Sequence, residues 1–270
     1  METHTDILDP ARANALQASL GLPANITQGS TLPPFYHQLY FWSPEPPENL
    51  GRDGHPATGN SLIPNLGLPR RMWAGGRLEF YTPLLAGHAA TKQTTLHSVS
   101  EKHGKSGPLA FVTLQHDISQ NSRVALREYQ DLVYREDPTS STPAPQVLVA
   151  RTDETSSNAC DFNSTLLFRY SALTFNGHRI HYDEAYSREV EHYSGLVVHG
   201  PLLAQMLMLM AEKHLGALAS FSFRATSALM HTETAEFCIK DNSLWVRASD
   251  GRQCMQAEAT TTRQAQIPPE

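Results

Sequence analysis

Between residues 77 and 135 the chain keeps returning to a two-residue hydrophobic period, with no helix-length segment in between. Residues 77–81, 90–102, 109–118 and 124–135 read as strands, with a turn at residues 103–108 separating the middle pair. Parallel strands need a crossover of a dozen residues or more, usually a helix. These strands must therefore pair antiparallel. The end of the chain repeats the pattern at 219–228, 234–240 and 244–262, the last interrupted by Asp250-Gly251, a hairpin signal. Helices precede each strand group. One covers residues 9–20, with Asp9 as cap, Pro10 in the first turn and Gly21 as stop. Ser164 can cap a second to residue 173, Asp183 caps a third from Glu184, and an apolar helix spans 200–214, closed by Gly216. The expectation is an α+β fold built twice.

The rest of the chain bears on where the two parts divide. A Pro/Ser/Thr-rich stretch at 137–145 reads as a linker, giving an N-terminal domain over 1–140 and a C-terminal one over 146–270. Residues 31–71 hold Pro33, Pro34, Pro44, Pro46, Pro47, Pro56, Pro64 and Pro69, a long irregular excursion. It also carries Phe35, Tyr36, Tyr40, Phe41 and Trp42, too many aromatics for a solvated linker, so it should pack over something, with the substrate channel as one candidate. A net charge of −6 argues against a nucleic-acid partner. The longest apolar run, 201–211, is too short for a bilayer, so no membrane partner is expected. The opening Met1-Glu2-Thr3-His4 lacks a basic region followed by an apolar core, and the three scattered cysteines suit a reducing compartment; both favour a cytoplasmic protein.

Polar chemistry is densest between Tyr170 and Pro201. Asn176, His178 and His181 fall within six residues, and imidazole is the side chain that takes and gives protons near neutral pH. His199-Gly200-Pro201 opens the apolar helix, whose first amides form a site for a carbonyl oxygen gaining negative charge. Two imidazoles on one loop also raise the question of a metal, but no His-Glu-x-x-His or Cys-x-x-Cys pattern supports one.

This stretch resembles the MaoC-like (R)-specific enoyl-CoA hydratases of the hot-dog fold. In their motif a catalytic Asp stands five residues before a catalytic His, which is followed by an apolar residue and Asp. His181, Tyr182 and Asp183 match, and Asn176 stands where that Asp would be. The run Ser171-Ala-Leu-Thr-Phe-Asn176-Gly-His178-Arg-Ile-His181-Tyr-Asp183 is similar to one branch in particular. That branch contains the mitochondrial-type 3-hydroxyacyl-thioester dehydratases and the bacterial 3-methylfumaryl-CoA (mesaconyl-CoA) and itaconyl-CoA hydratases. Arg70-Arg71-Met72-Trp73-Ala74-Gly75-Gly76, preceded by Asp53-Gly54-His55-Pro56, resembles the bacterial hydratases.

The resemblance implies a double hot-dog, an antiparallel sheet wrapped around a helix twice, with a degenerate N-terminal half. It implies a hydro-lyase acting on a coenzyme A thioester, with 3-methylfumaryl-CoA hydration to citramalyl-CoA foremost. A 3-hydroxyacyl-thioester dehydratase of fatty-acid synthesis and a non-catalytic acyl-CoA-binding hot-dog are the alternatives. His181 is the expected general base, Asn176 orients water, and the Gly200 amide holds the thioester oxygen. Asn176 itself cannot serve as a base. His178, His199 and Asp183 are supporting candidates. Arg179 either binds a substrate carboxylate or phosphate or forms an ion pair with Asp183 or Glu184. Arg224 resembles a strand position near the coenzyme A entrance, although a solvated strand arginine is the plainer reading. No cofactor beyond the substrate's own coenzyme A is expected, and the fold leaves room for a homodimer.

Overall fold

The computed structural model describes residues 1–59, 62–104, 107–137 and 146–262. Most of the linker at 137–145, and two residues of the turn at 103–108, lie outside them. Ten strands form one sheet in the order β1-β3-β4-β5-β2-β7-β10-β9-β8-β6. They are β1 (Glu2–Ile7), β2 (Arg70–Phe80), β3 (Ala89–Gly104), β4 (Gly107–Gln120), β5 (Arg123–Arg135), β6 (Ser156–Asp161), β7 (Leu218–Ala225), β8 (Thr234–Lys240), β9 (Ser243–Ala248) and β10 (Gln253–Thr261). Every pairing is antiparallel. The order reads the same outward from the centre in each half, and the halves join where β2 pairs with β7, from Gly75↔Arg224 to Glu79↔Ser220.

Four helices accompany the sheet among the described residues: α1 (Pro10–Ser19), α2 (Ser164–Thr174), α3 (Glu184–Glu189) and α4 (Gly200–Leu215). Asp9 caps α1 through its side chain, and Asp183 caps α3. The cap of α2 is Asn163 rather than Ser164, because Asn163 Oδ1 accepts the Leu166 N–H at 2.9 Å. α4 lies along the sheet with Leu202, Leu203, Ala204, Leu207, Met208 and Ala211 buried, and touches β7, β10, β2, β8 and β9.

Among the described residues, no such helix lies between β1 and β2. There α1 is followed by the proline-rich excursion, whose Phe35, Tyr36, Leu39, Tyr40 and Phe41 are all at most 4% exposed and join α4 in one core. Buried Gln205 of α4 donates to the Pro34 carbonyl at 2.8 Å, tying the two together. Further along, Leu62 and Ile63 cover the outer part of the N-terminal sheet in a smaller cluster with Ala110, Val112, Leu114, Leu132 and Tyr134.

Two differences from the sequence reading have physical causes. β1 and β6 are edge strands with mostly polar, exposed residues, so they carry no apolar alternation to read. β2 starts at Arg70 rather than at residue 77, because a bulge between Trp73 and Gly75 breaks its period. No helix among the described residues is long and apolar enough to cross a membrane.

Candidate active site

His181 lies on a one-turn 3-10 segment, Arg179–His181, between α2 and α3. Its Nδ1–H donates to the Val197 carbonyl at 2.7 Å, which leaves Nε2 carrying the lone pair. Burial, then the neighbouring His178, pushes its pKa down to about 3, so the ring is neutral at any working pH. Against it stacks His199, with ring centroids 3.6 Å apart and an interplanar angle of 21°. His199 is the fully buried residue that opens α4, and its Nε2 is hydrogen-bonded to Ser171 Oγ at 2.8 Å. Burial and the two nearby histidines hold its pKa well below the ordinary value.

His178 meets His181 edge-on at 5.4 Å and packs against His55 at 4.9 Å. Burial, followed by the charges of Arg71 and Arg70, lowers its pKa to about 3. His55 is held low by burial and next by Arg71. Four imidazoles thus sit together uncharged. They meet through ring faces and edges, with His181 Nδ1 and His199 Nε2 already hydrogen-bonded to protein oxygens, so they present no converging set of nitrogens for a metal. A different group of potential metal ligands, Glu154, Glu236 and Cys238, lies elsewhere. There Arg247 pairs with both carboxylates and burial raises the thiol pKa to about 11, which disfavours a metal.

The loop holding His181 is fixed from three sides. Phe175 ends α2 in the left-handed conformation (φ 52°), and the Asn176 N–H donates back to the Ser171 carbonyl at 2.9 Å. Asn176 Oδ1 accepts the His178 N–H at 3.0 Å, so the amide oxygen braces the loop and the amide nitrogen remains as a donor. From outside, residues 53–55 of the excursion dock on it: Arg179 N–H donates to the Asp53 carbonyl at 2.9 Å. Gly54, at φ +85°, packs on Gly177 so closely that a Cβ at Gly54 would lie 2.2 Å from the Gly177 carbonyl oxygen. A Cβ at Gly177 would lie 2.7 Å from the Gly54 oxygen. Only a glycine pair fits.

Gly200 is the first residue of α4, and neither its N–H nor that of Leu202 meets an acceptor among the described residues. Its neighbour across the site is β2, with the Trp73 carbonyl 3.8 Å from where a Gly200 Cβ would stand. Asn176, His178, His181, His199 and Gly200 therefore belong to one region. Arg179 takes the ion-pair reading: Nη2 and Nε lie 2.7 and 3.0 Å from Asp183 Oδ2, and Nη1 donates to the Arg52 carbonyl. Asp183 is occupied by that pair and by the Tyr186 N–H, and serves as a cap. Arg224 stands exposed on β7, opposite Gly75. The residue the sequence reading passed over is His55. Its sequence signal is the Asp53-Gly54-His55-Pro56 run.

A sheet folded twice in the same order, one long helix against it, and a neutral histidine near that helix's N-terminus define a double hot-dog hydro-lyase. The structural neighbours share the fold. HtdX from Mycobacterium tuberculosis superposes with a TM-score of 0.70 at 16% identity, over 97% of this chain and all (100%) of that one. A second M. tuberculosis protein, described as a double hot-dog, gives 0.59 at 14% identity over 96% and 94%. The chain belongs to the hydroxyacyl-thioester dehydratase type 2 family, whose model matches residues 35–231. Among curated relatives, mesaconyl-C(4)-CoA hydratase of Chloroflexus aurantiacus is 43% identical over 222 residues, 81% of this chain and 79% of that protein. The mitochondrial hydroxyacyl-thioester dehydratase type 2 of Schizosaccharomyces pombe is 28% identical over 275 residues, 89% and 91% of the two chains. The protein is a hydro-lyase.

Proposed function

We propose that the protein hydrates a five-carbon dicarboxylyl-CoA thioester, mesaconyl-C4-CoA (3-methylfumaryl-CoA), to citramalyl-CoA. The observation that carries the chemistry is His181: neutral, with Nδ1 committed to Val197, and stacked on the residue that opens α4. His181 Nε2 takes a proton from water as the oxygen adds to the β-carbon. The alkene electrons move through the α-carbon onto the thioester oxygen, where the Gly200 N–H at the positive end of α4 receives the charge. The imidazolium then returns its proton to the α-carbon, so one water is added and the base is restored. The Asn176 amide nitrogen is the group left to hold the water's oxygen. His178 and His55 wall the base from solvent. Arg224, exposed beside the β2–β7 junction, is assigned to a coenzyme A phosphate. No cofactor is required, and we assign the enzyme to the cytoplasm, with a dimer of double hot-dogs as its assembly.

The choice of acyl group rests on the 43% identical hydratase and on the Asp53–Pro56 and Arg70–Gly76 runs of the sequence. The family match keeps dehydration of 3-hydroxyacyl thioesters as the second reading. A hydration assay with mesaconyl-C4-CoA, itaconyl-CoA, crotonyl-CoA and a long-chain enoyl thioester separates them, and turnover highest on the long chain would favour the second. In the same assay His181→Ala is expected to lose about 10²–10⁴-fold in kcat. Near wild-type turnover by that variant would remove His181 from the mechanism.

A further inference from the structure

Hydration of a dicarboxylyl thioester poses an electrostatic problem that a simple enoyl thioester does not. The carbon attacked by the water oxygen already bears a carboxylate, and a buried carboxylate without a partner is costly. A cation near the base should therefore be available and unspent. The arginines around the catalytic loop are mostly spent. Arg179 is held by Asp183, Arg70 is buried in an ion pair with Glu191, and Arg52 is paired with Asp137.

Arg71 differs. It enters no ion pair among the described residues and is half-buried on β2. Side chains two residues apart on a strand share a face, roughly 6.6 Å from each other. Arg71 therefore shares its face with Trp73, whose ring packs on Phe35 and Phe223 in the core and whose carbonyl borders Gly200. Across the strand pair, Arg71 stands opposite Tyr134 of β5, a residue 1% exposed in the cluster that closes this end of the sheet. Its charge also reaches His55 and His178, and is among the causes of their lowered pKa. Arg71 thus lies near both Tyr134 and the imidazole cluster. The two carboxyl carbons of a trans enedioate lie about 3.8 Å apart, as Cα atoms do across a trans peptide. A substrate with its thioester oxygen at Gly200 would then present its free carboxylate within one arginine side chain of Arg71.

We infer that Arg71 is the substrate-specificity residue of this site, binding the free carboxylate on the β-carbon of a dicarboxylyl-CoA thioester. This deepens the proposed function and rests on it. Arg71 would select the dicarboxylate and also neutralise the charge on the carbon that water must approach. A guanidinium can do this through two parallel hydrogen bonds, which an ammonium cannot.

The test compares kcat/KM for mesaconyl-C4-CoA and crotonyl-CoA, which lacks the second carboxylate, in the full-length protein and in Arg71→Gln and Arg71→Lys. In Arg71→Gln the mesaconyl-to-crotonyl ratio should fall about 10- to 100-fold, as expected for a lost charge-assisted hydrogen bond. Arg71→Lys should recover part of that ratio by restoring charge without the bidentate geometry. An unchanged ratio in both variants, or an equal loss on both substrates, overturns the assignment. The ratio is internal to each preparation, so partial misfolding does not imitate the swing. If instead the wild-type enzyme already prefers crotonyl-CoA, the proposed substrate fails, and Arg71 with it. A wild-type preference for mesaconyl-C4-CoA that survives the substitution leaves that substrate standing and removes only Arg71.

Discussion

The two halves share a strand order but fill their concave faces differently. The C-terminal half packs the sheet with α4, sixteen residues of regular helix, and the start of that helix is the oxyanion site proposed above. The N-terminal half has α1 and then an irregular proline-rich segment, with Phe35, Tyr36, Leu39, Tyr40 and Phe41 occupying the core. A helix supplies a dipole and free amides at one end only. An irregular segment supplies neither, but it can reach sideways. It does so at Asp53, Gly54 and His55, which pack on the His181 loop of the other half. One half carries the candidate site, and the other packs a segment against it.

That contrast can be broken by mutation. If the aromatic segment takes the place of a packing helix, Phe35→Ala should cost about 3–5 kcal/mol, comparable to Leu207→Ala in α4 at about 2–5 kcal/mol. Denaturant unfolding of both variants measures this. A Phe35→Ala cost below about 1 kcal/mol would mean that the segment merely lies on the core.

Acid titration sharpens the same comparison. His178 and His181 have pKa values near 3 in the folded protein, and His116, buried in the N-terminal half beside Thr94 and Gln130, is near 4. An unfolded histidine titrates near 6.5. Between these values the unfolded chain binds more protons, so stability is lost as pH falls from about 6.5 towards about 3–4, at up to ~1.4 kcal/mol per pH unit for each histidine. Melting temperature should drop through this window and be flat above pH 7. His116→Gln should flatten the slope by about one histidine's share. A melting temperature constant between pH 7 and pH 5 would contradict the burial of these rings. The acid limb of activity should then follow unfolding rather than titration of His181.

The smallest effect concerns Asn176. Asn176→Asp keeps the oxygen that accepts the His178 N–H, so the loop and the melting temperature should hold. It exchanges the amide donor for an acceptor, and kcat should fall by about tenfold, the value of one neutral hydrogen bond. An unchanged kcat would confine Asn176 to bracing the loop.

Much of this was legible in the sequence, and the exceptions are instructive. The inner strands and α4 announce themselves because burial on one face imposes a period. The edge strands β1 and β6 escape because their side chains face solvent. That Asn176, His181 and Gly200 fall in one region was readable from local spacing, since one loop and one helix start carry them. His55 was not, because it comes from the opposite half and is brought to the site by contacts between segments more than a hundred residues apart in the chain. Arg179 shows the converse. It stands inside the motif, yet its i,i+4 spacing to Asp183 made an ion pair the cheaper local solution.

The contact between Gly54 and Gly177 has a consequence for how such a protein can change. Two backbones that touch without side chains leave no room for gradual adjustment, since the smallest possible addition at either position collides with a peptide group. A side chain at either glycine therefore forces the facing backbone to move, and a C-terminal half placed on another scaffold would lack the segment that packs on its His181 loop.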